Sequence, residues 1–319
     1  MYLSIEEIKN ITFGALSVKE TENGISFYRC TEKQIEEWYK VVDHVGERST
    51  MSTGVCFDFH TDSKNISFDA AEGKFEVYVN GIFAERYDMS ELHESGKDAS
   101  FCVSGEKNRI TIVFPCREIR RVIKYLKLDD GASIEPHKYD MKMLFIGDSI
   151  TQGSASSLDS LSYAPRTARF FNAEMLNQGV GSAYCNEKTF DHLDFDPDVV
   201  ILAYGANDPV FSDTVEEIDA HINAFYDLVA EEYKEKNTKI VAISPIPIIS
   251  FKSDEVREKF FGCRRMIEYE AKKHGFYYVD GYGLVPNHKA FFSEDGVHPN
   301  DLGFGVYAEN LIARLVKIL

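Results

Sequence analysis

The sequence has no run near the roughly 18–20 consecutive apolar residues that a membrane-spanning helix needs. It also lacks internal repeats and low-complexity tracts. Its first residues, Met1-Tyr2-Leu3-Ser4-Ile5-Glu6-Glu7, carry neither the basic start nor the apolar stretch of a signal peptide. Six cysteines (Cys30, Cys56, Cys102, Cys116, Cys185, Cys263) form no CxxC pair and are too sparse for a disulfide framework. These absences predict a cytoplasmic protein. The nine histidines form no ligand-spaced cluster, and His93-Glu94 lacks the second histidine of HExxH, so neither metal nor cofactor is expected. Positive charge is scarce too: 35 Lys and Arg against 52 Asp and Glu leave a net −17. A field of that sign repels phosphate backbones and anionic lipid, which argues against nucleic-acid and membrane partners.

What is present suits a globular chain. The 319 residues are 44% hydrophobic and 27% charged, enough for two ordinary domains. Residues 10–128 read as short strands rich in β-branched and aromatic residues, at Thr53–His60, Asn65–Asp69, Lys74–Val79 and Arg109–Phe114. Asn80-Gly81 is a hairpin marker, because a type I′ turn needs positive φ at both central positions. This pattern predicts an antiparallel β-sandwich over residues 1–137. The polar stretch 129–137, with Gly131 and Pro136, reads as a linker.

From residue 138 to 319 the rhythm changes to an alternation of strands and helices. Strands are expected at Lys142–Ile146, Glu174–Asn177, Asp198–Tyr204, Lys239–Ser244 and Phe276–Asp280. Helices are expected at Tyr163–Asn172, Thr214–Glu235, Asp254–Lys273 and Leu302–Leu319. Such alternation with right-handed crossovers predicts an α/β fold with a flavodoxin-like, doubly wound parallel sheet.

Ligands in such sheets bind beyond the carboxyl ends of the strands. Four polar, small-residue segments fall there: Gly147-Asp148-Ser149-Ile150-Thr151-Gln152-Gly153, Asn177-Gln178-Gly179-Val180-Gly181-Ser182, Gly205-Ala206-Asn207-Asp208 and Asp295-Gly296-Val297-His298-Pro299-Asn300. Their chemistry is complementary. Ser149 can act as a nucleophile, His298 can take its proton, and Asp295 can hold the imidazole tautomer. A tetrahedral oxyanion needs preorganised donors. The N–H groups of Ser149 and of the Gly181-Ser182 turn, with the Asn207 amide, are the candidates. Cys185 lies nearby in sequence and can line the site. Tyr163, Phe211, Phe291 and Phe292 flank the motifs as core or as pocket lining. Gly179-Val180-Gly181 lacks the third glycine of GxGxxG, and no G-x-S-x-G elbow surrounds the serine.

The four segments together resemble the SGNH, or GDSL-type, hydrolase family, over about residue 140 to the C-terminus. The resemblance implies acyl-ester hydrolysis through an acyl-serine intermediate. Ser149 would be nucleophile, His298 base and Asp295 its partner, with Ser149, the turn 181–182 and Asn207 as the oxyanion hole. Ser182 stands where the family usually has glycine. A β-sandwich ahead of such a domain is similar to two-domain carbohydrate esterases. The expected substrate is therefore a small acylated molecule, an acetylated oligosaccharide. A lysophospholipase or thioesterase activity, or a non-catalytic glycan-binding role, are the alternatives. A homo-oligomer is compatible with the sequence.

Overall fold

The computed structural model describes residues 1–116 and 122–319, and of the stretch 10–128 residues 117–121 lie outside the described residues. The contacts divide the chain into two units. One comprises Met1–Cys30 and Thr50–Tyr139, the other Thr31–Ser49 and Asp140–Leu319.

The first unit holds two antiparallel sheets. One orders its strands Thr12–Phe13, Cys56–Thr61, Asn108–Val113, Lys74–Val79 and Ile82–Asp88, with Ile134–Pro136 also paired to Cys56–Thr61. The other runs Ser17–Thr21, Gly24–Tyr28, Val122–Lys127, Asn65–Ala70 and Ala99–Cys102. Alternate residues turn inward and meet in one core, where Phe57, Phe59, Phe68, Phe75, Ile110, Ile112 and Phe114 are fully enclosed. Asn80 (φ 52°) and Gly81 (φ 79°) form the expected hairpin turn between Lys74–Val79 and Ile82–Asp88.

Two expectations are corrected here. The stretch 129–137 is part of the sandwich, since Ile134–Pro136 pairs as a strand. The Asp129 carboxylate helps tie it down by accepting from the N–H groups of Lys64 (2.7 Å) and Asn65 (2.9 Å). Residues 32–49, read as part of a strand region, form helices α1 (Glu32–Val41) and α2 (Asp43–Ser49). Thr31 and Gln34 cap α1 reciprocally, side chain to backbone at 3.1 and 3.0 Å. That T-x-x-Q box was readable, but the strands on either side masked it. These helices group with the α/β unit, and polar contacts join them to it. Gln34 and Gln178 exchange amide hydrogen bonds at 3.1 and 2.9 Å, and Thr31 Oγ1 donates to Asp191 at 2.6 Å.

The second unit is built on five parallel strands: β1 (Met141–Gly147), β2 (Ala173–Gly179), β3 (Val199–Ala203), β4 (Lys239–Ile243) and β5 (Tyr277–Val279). Their order is β2-β1-β3-β4-β5, the flavodoxin-like arrangement. Phe145 pairs with Asn177 on one side and Ile201 on the other. Both faces of the central strands are covered, so Met143–Ile146 and Val199–Leu202 are buried without alternation. Four helices follow the strands: α4 (Tyr163–Phe170), α6 (Val215–Tyr233), α7 (Asp254–Lys273) and α8 (Asp301–Leu315). Two single-turn helices, α3 (Ser149–Gln152) and α5 (Asp208–Phe211), begin at strand ends. Thr214, Ser253 and Asn300 cap α6, α7 and α8, each accepting a first-turn N–H. No helix among the described residues is long and apolar enough to cross a membrane.

Candidate active site

β1 sits where the strand order reverses, and Ser149 follows it by two residues. Gly147 is required there, because a Cβ would come within 2.2 Å of Thr151 Oγ1 and 2.7 Å of the Ala203 carbonyl. Asp148 caps α3 by accepting from Ile150 N–H (2.9 Å), which places Ser149 at the first position of the helix.

Ser149 Oγ lies 2.7 Å from His298 Nε2, and His298 Nδ1 lies 2.6 Å from Asp295 Oδ2. A carboxylate only accepts, so Nδ1 carries the proton and Nε2 accepts from the serine hydroxyl. Asp295 is itself anchored: its Oδ1 accepts from Val297 N–H, His298 N–H and Ser293 Oγ at 2.8–3.0 Å. Partial burial opposes its ionisation, but the hydrogen bonds from His298, Val297 and Ser293 outweigh that. They hold the carboxyl well below the usual range. The loop therefore presents a charged orienting group to the imidazole.

The turn after β2 shows where donors remain. Gly179 N–H donates to Asn177 Oδ1 (2.8 Å), Val180 N–H to the Gly147 carbonyl (3.0 Å), and Gly181 N–H to Gln152 Oε1 (2.7 Å). Ala183 N–H donates to the Val180 carbonyl at 3.0 Å. Within this turn Ser182 N–H alone has no acceptor among the described residues. Gly181, a candidate from sequence, thus has its N–H taken by Gln152, whose side chain sequence reasoning left without a role. Ser182 adopts φ 67°, a left-handed conformation that costs a residue with a Cβ about 1–2 kcal/mol. Arg48, from α2, donates through Nη1 to Ser182 Oγ at 2.6 Å.

Asn207 stands at the N-terminus of α5 but makes no side-chain cap. Its Nδ2 donates to the Ala183 carbonyl at 2.9 Å, which orients the amide towards the turn and leaves its second N–H for a ligand. Behind it Asp208 is buried. Its Oδ1 accepts from Cys185 N–H at 3.1 Å, while Oδ2 has no partner among the described residues. Burial raises Asp208 to about 6 and Asp148 to about 7. Burial likewise pushes the Cys185 thiol far above its ordinary value, so it is no nucleophile. Tyr163 and Phe292 belong to the core and Phe291 packs against it. Phe211 is 38% exposed and stacks on Tyr184, with centroids 5.4 Å apart and planes at 12°.

One group of possible metal ligands occurs among the described residues, at Asp227 on α6, Glu270 on α7 and His274 at the C-cap of α7. It crosses two helices, which is why no sequence spacing announced it. Lys273 Nζ already supplies the cation, 2.9 Å from Glu270 Oε2 and 3.2 Å from Asp227 Oδ1.

Comparison of folds gives relatives of low identity that cover nearly the whole chain. A salicylyl-acyltransferase from a tetracycline biosynthetic pathway superposes with TM-score 0.76 at 17% identity, covering 96% of this chain and 94% of that one. A family two carbohydrate esterase from Cellvibrio japonicus gives 0.64 at 13% identity, with 96% and 94% covered. An acetyl xylan esterase from the rumen bacterium Butyrivibrio proteoclasticus gives 0.61 at 15% identity, with 100% and 98% covered. A search of curated protein sequences returns no significant match. Residues 145–306, half of the chain and all four strand-end motifs, match the GDSL-like lipase/acylhydrolase family, and the protein belongs to that family.

Proposed function

We propose that the protein is a serine esterase that removes O-acetyl groups from carbohydrates through an acyl-serine intermediate. The observation that carries this reading is the unbroken relay Ser149–His298–Asp295, at 2.7 and 2.6 Å, beside the Ser182 N–H, which has no acceptor among the described residues. Ser149 Oγ attacks the ester carbonyl as His298 Nε2 takes its proton. The carbonyl oxygen, now an anion, accepts from Ser149 N–H, Ser182 N–H and Asn207 Nδ2. On collapse the C–O bond to the sugar breaks, and His298 returns the proton to the departing alkoxide. Water then repeats the sequence on the acyl-serine, with His298 again as base, and releases acetate and free Ser149. Asp295 stays ionised throughout and keeps the imidazolium oriented.

Two features favour sugar as the alcohol. The Tyr184–Phe211 pair offers flat, partly exposed ring surface two residues from Ser182 and four from Asn207, suited to the C–H face of a pyranose. Carbohydrate esterases are also among the chains of like fold.

The test is acetate release from acetylated xylo- and manno-oligosaccharides, with p-nitrophenyl acetate as reference and Ser149→Ala as control. Release from the sugars that vanishes in Ser149→Ala is the expected result. Activity on p-nitrophenyl esters alone, rising with chain length, would replace acetylated sugar by lipid or thioester substrates. No Ser149-dependent turnover of any ester would overturn the esterase reading.

A further inference from the structure

Arg48 comes from a segment 134 residues ahead of the turn it touches, yet it lies on the oxyanion turn itself. Its Nη1 donates to Ser182 Oγ at 2.6 Å, a charge-assisted bond to the residue whose N–H is open. Its stem covers the neighbouring residue: a Cβ on Gly181 would fall 2.7 Å from Arg48 Cδ and 3.2 Å from Nε. A side chain at position 181 would push the arginine off this path. Beneath the turn, Gln152 Oε1 holds Gly181 N–H. The turn is thus held by both Arg48 and Gln152.

The arginine is in turn held by a braced hairpin. Gly46 of α2 sits against the ring of Tyr39 on α1, where a Cβ would come within 2.3 Å of Cγ. Trp38 of α1 packs edge-on to Tyr184, two residues beyond Ser182 (6.4 Å between centroids). The Gln34–Gln178 pair and the Thr31–Asp191 bond anchor the start of α1.

We infer that Arg48 is a positioning residue of the oxyanion hole, holding Ser182 in its left-handed conformation so that the 182 N–H faces the acyl oxygen. The inference rests on the esterase reading. A serine at φ 67° is strained and would relax if its side chain were released, rotating the N–H away. The Oγ bond to Arg48 is the restraint that a glycine at this position would not need. Arg48 and Ser182 therefore act as a couple: the side chain that makes the backbone costly is also the handle by which it is held.

The test is a double-mutant cycle with Arg48→Met and Ser182→Gly in the full chain, on p-nitrophenyl acetate and an acetylated oligosaccharide. Methionine keeps an apolar stem over Gly181 and removes the guanidinium, and unfolding midpoints check that each variant is folded. Arg48→Met is expected to lower kcat about 10- to 30-fold with KM within twofold, a fraction of the roughly 10²–10³ that loss of a whole donor brings. Inhibition by phenylboronate, whose tetrahedral adduct on Ser149 uses the same hole, should weaken by a similar factor. Arg48→Lys, which keeps a charged donor, should recover part of the loss. Ser182→Gly removes both the strain and the handle, so adding Arg48→Met to it should cost less than another twofold. Equal losses in both backgrounds would overturn the inference, as would a rise in KM with kcat unchanged, which would make Arg48 a substrate contact. Wild-type enzyme with no Ser149-dependent turnover would instead sink the esterase reading and this inference with it. An active wild type with an unimpaired Arg48→Met variant would sink the inference alone.

Discussion

Asp58 in the sandwich and Ser182 in the α/β unit are both hydrogen-bonding positions at the edge of a packed core, and they are treated in opposite ways. Asp58 is fully buried and saturated. Its two oxygens accept from Arg109 Nε and Nη2, Thr111 Oγ1 and Tyr139 OH, at 2.6–3.1 Å. A carboxylate has about four acceptor sites, so nothing is left for a ligand. Around Ser182 every neighbouring N–H of the turn is occupied, while the 182 N–H has no acceptor among the described residues. The contrast separates structural polarity from chemical polarity more sharply than charge does. At Asp58 the sandwich closes a polar group on its neighbours, whereas at Ser182 the α/β unit leaves an N–H available to a ligand.

Four experiments would break or sharpen that contrast. Ser149→Ala removes the proposed nucleophile and should lower kcat on the order of 10⁴-fold or more, with the unfolding midpoint nearly unchanged. Asn207→Ala removes an open donor and should lower kcat about 10²–10³-fold with little effect on KM. An unchanged kcat would take Asn207 out of the oxyanion hole. Asp58→Ala should do the reverse. It strands a partly buried Arg109 and should cost about 2–3 kcal/mol in denaturant unfolding, while kcat of the folded enzyme holds within twofold. A comparable fall in kcat would show that the saturated network also serves the reaction.

The smallest effect concerns pH. Burial raises Asp208 to about 6 and Asp148 to about 7 in the folded chain, against an ordinary value of 3.8. Between those limits the folded state binds more protons than the unfolded one, so these two groups make stability decline as pH rises from about 4 to 7. Asp208→Asn keeps an acceptor for Cys185 N–H and cannot ionise. It should flatten that decline and raise stability at pH 8 by about 1–2 kcal/mol. A slope unchanged from wild type would mean that Asp208 is ionised in the fold throughout the range.

The same contrast explains what could be read from the sequence. The five parallel strands and the four motifs at their ends are local features, an apolar run followed by small polar residues, and one-dimensional inspection finds them. Ser149, His298 and Asp295 were legible because each sits in such a segment. Which N–H of the turn stays open was not, since the answer depends on where Gln152 and Asn177 point. The helical character of 32–49 was signalled by the Thr31–Gln34 box, but strand-rich neighbours outweighed four residues of evidence. Arg48 had no signal at all. Its meaning lies in a contact across 134 residues, with no local pattern to mark it.

The division of the chain has a bearing on how the protein is made. The first piece of the α/β unit, Thr31–Ser49, leaves the ribosome some ninety residues before the strand that opens the rest of it, Met141–Gly147. The hairpin must wait, without the surface it is built to grip, while the intervening chain emerges. A shortened gene beginning at residue 140 would yield a sheet with all its strands but a turn with nothing above it. Domain swaps and truncations in proteins of this arrangement should therefore carry the early hairpin along with the late domain.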